Sequence, residues 1–202
     1  MAFIKPIHLR GRHASLEPLS EAHLAELNAA AADGQLWTLW YTSVPPPDKM
    51  AQYIETALDM RDNAGALPFI VRAQDSGRIV GSTRYFNVDA NNRRLEIGHT
   101  WLAKSAQRSA INTECKLMLL GHAFEQLKCI AVEFRTHWMN HQSRAAIARL
   151  GAKQDGVLRN HQRMADGSLR DTVVFSIIES EWPTVARHLQ YRLEVRGMSH
   201  AD

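Results

Sequence analysis

Two cysteines in 202 residues leave no room for a disulfide framework. Cys115 and Cys129 flank one expected helix, so a bridge between them is geometrically disfavoured, and both read as single buried thiols. The ten histidines include no His-Glu-x-x-His or comparable helical pair, so no structural or catalytic metal is expected. No apolar run approaches the roughly 18 residues of a membrane helix. The N-terminus has no signal-peptide h-region, and together with the cysteine usage this points to a reducing cytoplasm. Repeats, low-complexity tracts and one-sign charge runs are all missing. The net charge of +3 is spread over interleaved acids and bases, which favours an ordinary soluble surface over a nucleic-acid stripe.

What is present is enough apolar residue, 45%, for a real core. Ile7–Leu9 reads as a short strand, and Ser20 as the N-cap of a helix over 21–31. An aromatic loop, Leu36-Trp37-Thr-Leu-Trp40-Tyr41, ends in Pro45-Pro46-Pro47. Asp48 stands where it could cap a second helix over 49–63. Strands follow at 68–73, 78–86 and 93–101, joined by short turns and therefore antiparallel. A helix over 112–127 then leads to a strand at 130–136. Strand, long helix and strand make a crossover, which sets those two strands parallel. Asn140 caps a helix over 141–150 that Gly151 stops. A hairpin of strands at about 156–163 and 169–178 precedes a helix over 181–196. The sum is one mixed α/β domain over residues 1–180, with 181–202 as its C-terminal helix and short tail. That helix, with Trp182, Leu189 and Leu193, can cover the sheet or a second copy of the chain.

The most informative stretch is Trp101 to Asn112. A strand runs into a loop of small and polar residues, and the loop opens onto a helix. Unpaired N–H groups and the macrodipole at a helix N-terminus suit a pyrophosphate. Alone, such a turn is common and weakly diagnostic. The segment from Asn140 to Gly151, one strand and one turn further on, strengthens it.

Three blocks carry a family resemblance: Glu96-Ile-Gly-His-Thr-Trp-Leu102, Gln107-Arg-Ser-Ala-Ile-Asn-Thr-Glu114, and Asn140-x-x-Ser143-x-x-Ala146-Ile-x-x-Leu-Gly-Ala152. The opening Leu9-x-Gly11 and Leu16-x-Pro18-Leu19 add to it, as do Gly156-Val-Leu-Arg-Asn-His161 and Asp166-Gly-x-x-Arg170-Asp-Thr-Val-x-Phe-Ser176. This pattern resembles the GNAT superfamily of N-acetyltransferases, and within it the ribosomal-protein alanine and serine N-acetyltransferase group (Rim-type).

The resemblance implies a mostly antiparallel sheet splayed open between the strand ending at Trp101 and the strand at 130–136. Acetyl-CoA, as cosubstrate, would lie in that split, along Trp101 and Leu102. Its pyrophosphate would sit on Gln107, Arg108, Ser109, Ala110, Ile111 and Asn112. Asn140 would cap its helix and bond a pantetheine amide. The resemblance also implies acetyl transfer to a primary amine, borne by a protein N-terminus or a small molecule. Ser143 matches the position that returns a proton to the leaving thiolate; its plain alternative is to help cap the first helical turn. Glu96 is the candidate base, against a reading as an exposed carboxylate paired with Arg84 or Arg93. His99, Glu133 and His161 are weaker candidates. Trp37, Trp40 and Tyr41 either line an acceptor pocket or pack as core. The usual loop pattern has a glycine where Ala110 stands. That departure motivates an alternative: a non-catalytic acyl-CoA-binding sensor or partner protein.

Overall fold

The computed structural model describes residues 3–42 and 44–198. Eight strands form a single open sheet: β1 (Leu9–Arg10), β2 (Ala14–Pro18), β3 (Leu67–Ala73), β4 (Ile79–Asp89), β5 (Arg94–Leu102), β6 (Ala131–His137), β7 (Lys153–Arg163) and β8 (Leu169–Ile178). Their spatial order is β1-β2-β3-β4-β5-β6-β8-β7, and five helices flank them. These are α1 (Leu24–Ala32), α2 (Met50–Asn63), α3 (Ile111–Gly121), α4 (His141–Ala148) and α5 (Trp182–Met198). Every neighbouring pair is antiparallel except β5 and β6, which the crossover through α3 makes parallel.

Alternate residues of β4 sort the helices between the two faces. Tyr85 points to α3, where its hydroxyl donates to the Leu119 carbonyl at 2.5 Å. Arg84, one residue earlier, lies under Tyr53 and Met60 of α2. Trp101 of β5 also reaches α2, its Nε1 donating to the Tyr53 hydroxyl at 3.3 Å. The C-terminal helix packs on α3 and its extension, with Trp182 stacked on Phe124 at 5.4 Å and Leu189 fully buried.

Two local expectations need correction, and one strand went unforeseen. Ala14–Pro18 is a full strand with Ala14 and Leu16 in the core, although five residues ending in Glu17-Pro18 are too short to show an alternation. The helix expected over 112–127 is α-helical only to Gly121 and continues as a π-helical turn, His122–Gln126. The 3-4-3 spacing of Leu117, Leu120, Phe124 and Leu127 does not register that change of winding. Asp48 sits inside a 3-10 turn, Pro47–Lys49, rather than capping α2. Ser20 is the N-cap as expected, but of a 3-10 turn, Glu21–His23, that runs on into α1, and its backbone N–H donates to His23 Nδ1 at 3.2 Å.

One buried carboxylate joins the N-terminal strands to α3. Three successive N–H groups, from Arg12, His13 and Ala14, donate to Glu114 at 2.8, 2.7 and 2.8 Å. Such a run of amides is an anion nest. Gly11 is required beside it, because a Cβ there would lie 2.3 Å from Glu114 Cδ. Removing the acceptor strands several donors away from water, each a cost of about 1–3 kcal/mol. Glu114→Ala should therefore lower unfolding free energy by about 3 kcal/mol in urea titrations, allowing for partial rehydration. Glu114→Gln, with one oxygen still accepting, should lose less. Equal stability of all three proteins would show that the nest holds nothing.

Candidate active site

β5 and β6 pair over only three residues, Arg94↔Ala131, Leu95↔Val132 and Glu96↔Glu133. Beyond them β5 runs on to Leu102 and β6 to His137 without pairing to each other. The expected split is therefore present, and it leaves two strand edges that an amide-bearing ligand can satisfy. A bulge shapes one wall. Between Ser82↔Trp101 and Arg84↔Gly98, β5 has one residue more than β4, and His99 there takes φ +48°. Behind the bulge, Lys116 of α3 is buried with its Nζ 2.9 Å from Thr100 Oγ1 and 3.3 Å from Thr83 Oγ1. Burial pushes its pKa down to about 8.

The loop and the second motif meet at the mouth of this split. Gln107 Nε2 donates to the Leu102 carbonyl at 3.0 Å, while its Oε1 accepts from Gln142 Nε2 of α4 at 3.3 Å. Ser109 Oγ donates to the Ala106 carbonyl and accepts from the Ile111 N–H. Helix α3 begins at Ile111, one residue before the expected Asn112. Ala110 has φ −70°, so alanine is unstrained there. The left-handed residue of the loop is Arg108, at φ +60°.

Across the split, Asn140 caps α4 as expected: its Oδ1 accepts from the Ser143 N–H at 2.9 Å. The cap uses the backbone of Ser143, so its hydroxyl is not needed there.

Glu96, Gly98 and Phe86 share the α2 face of the sheet, and His99 packs edge-on to the Phe86 ring at 4.9 Å. Glu96 is only 4% exposed and pairs with neither Arg84 nor Arg93, against the surface ion-pair reading. Asn87 Nδ2 donates to its Oε2 at 2.9 Å and Arg135 Nε lies at 3.5 Å. Burial raises its pKa, and the Asn87 bond and the Arg135 charge offset this only in part. Glu133, by contrast, is held by Arg94 and Arg135 at 2.5 and 2.9 Å. His99 is pushed down to about 4, first by burial and then by the charges of Arg84 and Arg170. It is a neutral imidazole near pH 7. His161 is engaged with Thr172 Oγ1 at 3.1 Å.

The aromatic loop divides. Trp37 packs against the core, but Trp40 is 56% exposed and meets the His137 ring edge-on at 5.0 Å. Tyr41 lies beside both, 5.6 Å from Trp40 and 6.4 Å from His137. Trp101 is buried, and Trp138 lies beneath the Arg144 guanidinium at 4.1 Å. Sequence reasoning missed Asn87, Arg135 and His137, named Arg84 only as a possible partner of Glu96, and quoted Arg170 only within a motif block. The alternation of Arg84 and Phe86 against the core residue Tyr85 was the one available signal. Among the described residues, no three His, Cys, Asp or Glu side chains cluster closely enough to hold a metal. No helix among them is long and apolar enough to cross a membrane.

The family model described as "Acetyltransferase (GNAT) domain" matches residues 14–153. The chain belongs to the GNAT acetyltransferase family. It is similar to the "Putative ribosomal N-acetyltransferase YdaF" of Bacillus subtilis (strain 168), with 30% identity over 169 residues, 83% of this chain and 90% of that protein. A GCN5-related N-acetyltransferase from Brucella melitensis superimposes with a TM-score of 0.83 at 28% identity, over 94% of this chain and 86% of that one. Mycobacterium smegmatis RimJ, solved with CoA-disulfide, shares the fold with a TM-score of 0.73 at 24% identity, over 89% and 88% of the two chains. This GNAT chain is thus an acyltransferase of the Rim-type group that its motifs resemble.

The depressed pKa of His99 has a sign that can be checked. Its folded value, about 4, lies below the ordinary 6.5. The stability it contributes is complete above pH 6.5 and is lost as pH falls through about 4. His99→Phe should therefore lose less stability than the parent between pH 6.5 and 4, measured by denaturant unfolding at each pH. Parallel losses in the two proteins would contradict the burial assigned to the ring.

Proposed function

We propose that this GNAT enzyme transfers the acetyl group of acetyl-CoA to a primary amine, either a protein N-terminus or a small molecule. The observation that carries this is the split between β5 and β6, with the buried Glu96 on β5 beside it and Ser143 in the first turn of α4, just after β6. The similarity to a ribosomal N-acetyltransferase supports an N-terminal acceptor. The ligand of the RimJ structure supports a CoA donor.

In this reading the pantetheine lies between the parted edges, with its amides on the backbone around Trp101 and Leu102 and on Asn140. The pyrophosphate rests on residues 107–112 at the start of α3. No metal takes part. Trp40 and Tyr41 border the acceptor side, and Trp37 supports their loop from the core. An α-ammonium of pKa about 7.7–8.0 loses its proton to Glu96, directly or through one water. The neutral amine attacks the thioester carbon, forming the C–N bond. The nitrogen of the tetrahedral intermediate releases its surplus proton to solvent, collapse breaks the C–S bond, and Ser143 Oγ–H protonates the departing thiolate before regaining a proton from solvent. A carboxylate whose pKa is raised by burial is better matched to the first step than an exposed one. The sensor alternative rested on Ala110, on the absence of loop glycines and on the open choice of base; the negative φ of Ala110 answers the first of these.

The test is release of CoA thiol and formation of N-acetyl product with a panel of peptides and small amines. Ser143→Ala should lower kcat about 100-fold or more while leaving acetyl-CoA affinity in place. Glu96→Gln should reduce turnover and flatten the acidic limb of the kcat/KM profile. Unchanged kcat in the first variant and an unchanged pH profile in the second would remove each residue from the mechanism.

A further inference from the structure

Arg84 is the largest unexplained expense in the interior. Its side chain is 1% exposed, yet its Nε has no hydrogen-bond partner. Nη1 meets only the Met60 thioether, at 3.1 Å, and the guanidinium lies over the Tyr53 ring at 5.3 Å. A thioether and a ring face are weak partners for a cation. No carboxylate pairs with Arg84 among the described residues. Burying an unpaired charge costs several kcal/mol, so a group of this kind in a native fold calls for a partner that arrives later.

Its position says which partner. Arg84 stands opposite Gly98 on the α2 face of β4, on the same face as Glu96 and Phe86. The surroundings share its polarity. Arg170 of β8 is half-buried, its Nε held by Thr172 Oγ1 at 3.0 Å, and its charge is felt at Glu96, His99 and His137. His137 accepts the Met139 N–H on Nδ1 at 3.0 Å, which puts its ring proton on Nε2. That Nε2 is buried and has no acceptor. The site therefore holds a buried cation and a buried donor in want of acceptors, with a further cation nearby. Met60 and the half-buried Tyr53 lie against the guanidinium, and an unbranched methionine moves aside readily.

We propose that the acceptor amine is borne by a molecule with an anionic oxygen group, carboxylate or phosphate, and that Arg84 is the seat of that group. The inference rests on the acetyl-transfer reading above and narrows its acceptor class. Arg84 acts as a specificity-determining residue: it orients the acceptor so that the amine faces Glu96 and the thioester. A bidentate guanidinium contact suits this role because it sets direction as well as affinity.

The experiment compares amines matched in all but charge: amino acids against their amides, phosphorylated against plain amino alcohols, and peptides with acidic or amide second residues. Each is assayed with the parent enzyme, Arg84→Met and Arg84→Lys. The N-acetylated form of every member is also tested for thermal stabilisation of the CoA-bound protein, a readout that needs no turnover. The expected result is at least a ten-fold higher kcat/KM, or a clear stabilisation, for the anionic member of one matched set. The set that responds identifies the source of the anion. Arg84→Met should abolish the preference with unchanged acetyl-CoA affinity, and Arg84→Lys should keep part of it. Arg84→Met should also unfold at no lower temperature than the parent, because it removes an unpaired charge; a marked loss of stability would mark a structural arginine. Turnover of uncharged amines at matched rates, or a preference that survives Arg84→Met, would overturn the proposal and leave acetyl transfer standing. Loss of both turnover and stabilisation across all sets would overturn it too. Failure to bind acetyl-CoA at all would instead strike the reading beneath it.

Discussion

Two parallel strands that part after three residue pairs are the constraint around which this molecule is arranged. Parting costs hydrogen bonds that continued pairing would supply, so something must keep the strands from zipping together. At the crotch, Glu96, Glu133, Arg94 and Arg135 form a compact charge cluster where the pairing ends. Above it, the extra residue at His99 turns the β5 edge out of register with a flat sheet. At the mouth, the bond between Gln107 and Gln142 spans the gap. The split is thus held at both ends, and the edges between are free for a ligand backbone.

The interior around this split is more cationic than a stability-driven core would be. Arg84 and Lys116 lie on opposite faces of β4, and among the described residues neither is ion-paired with a carboxylate. Lys116 meets its cost partly by two hydroxyls and partly by a pKa near 8. Guanidinium has no such escape by deprotonation. The balance comes from the rest of the fold, including a closed core and the three-amide nest around Glu114 that ties the first two strands to α3.

Much of this was legible in the sequence because it is written in local signals. The alternating runs of β4, β5 and β8, the Asn140 cap and the crossover between β5 and β6 need only near neighbours. The two motif blocks were legible as a pair, and Gln107 and Gln142 join them. What was hidden is long-range. Glu114 stood only as the end of a motif block, since its three partners lie about a hundred positions away. Arg84, His137 and Arg170 converge from β4, β6 and β8, and no spacing rule links them. Ala110 read as a defect because a motif records residue types, whereas the backbone angle decides what a glycine is for.

The two thiols have a practical bearing. Cys115 and Cys129 are both buried, and burial pushes them up to about 12 and about 11. Only a thiolate attacks a disulfide reagent at a useful rate. The folded enzyme is therefore silent towards aromatic disulfide dyes at neutral pH, while free coenzyme thiol is not. Colour formed in a reaction mixture counts turnover without a protein background. In a sample kept without substrate, the same colour counts molecules that have come unfolded.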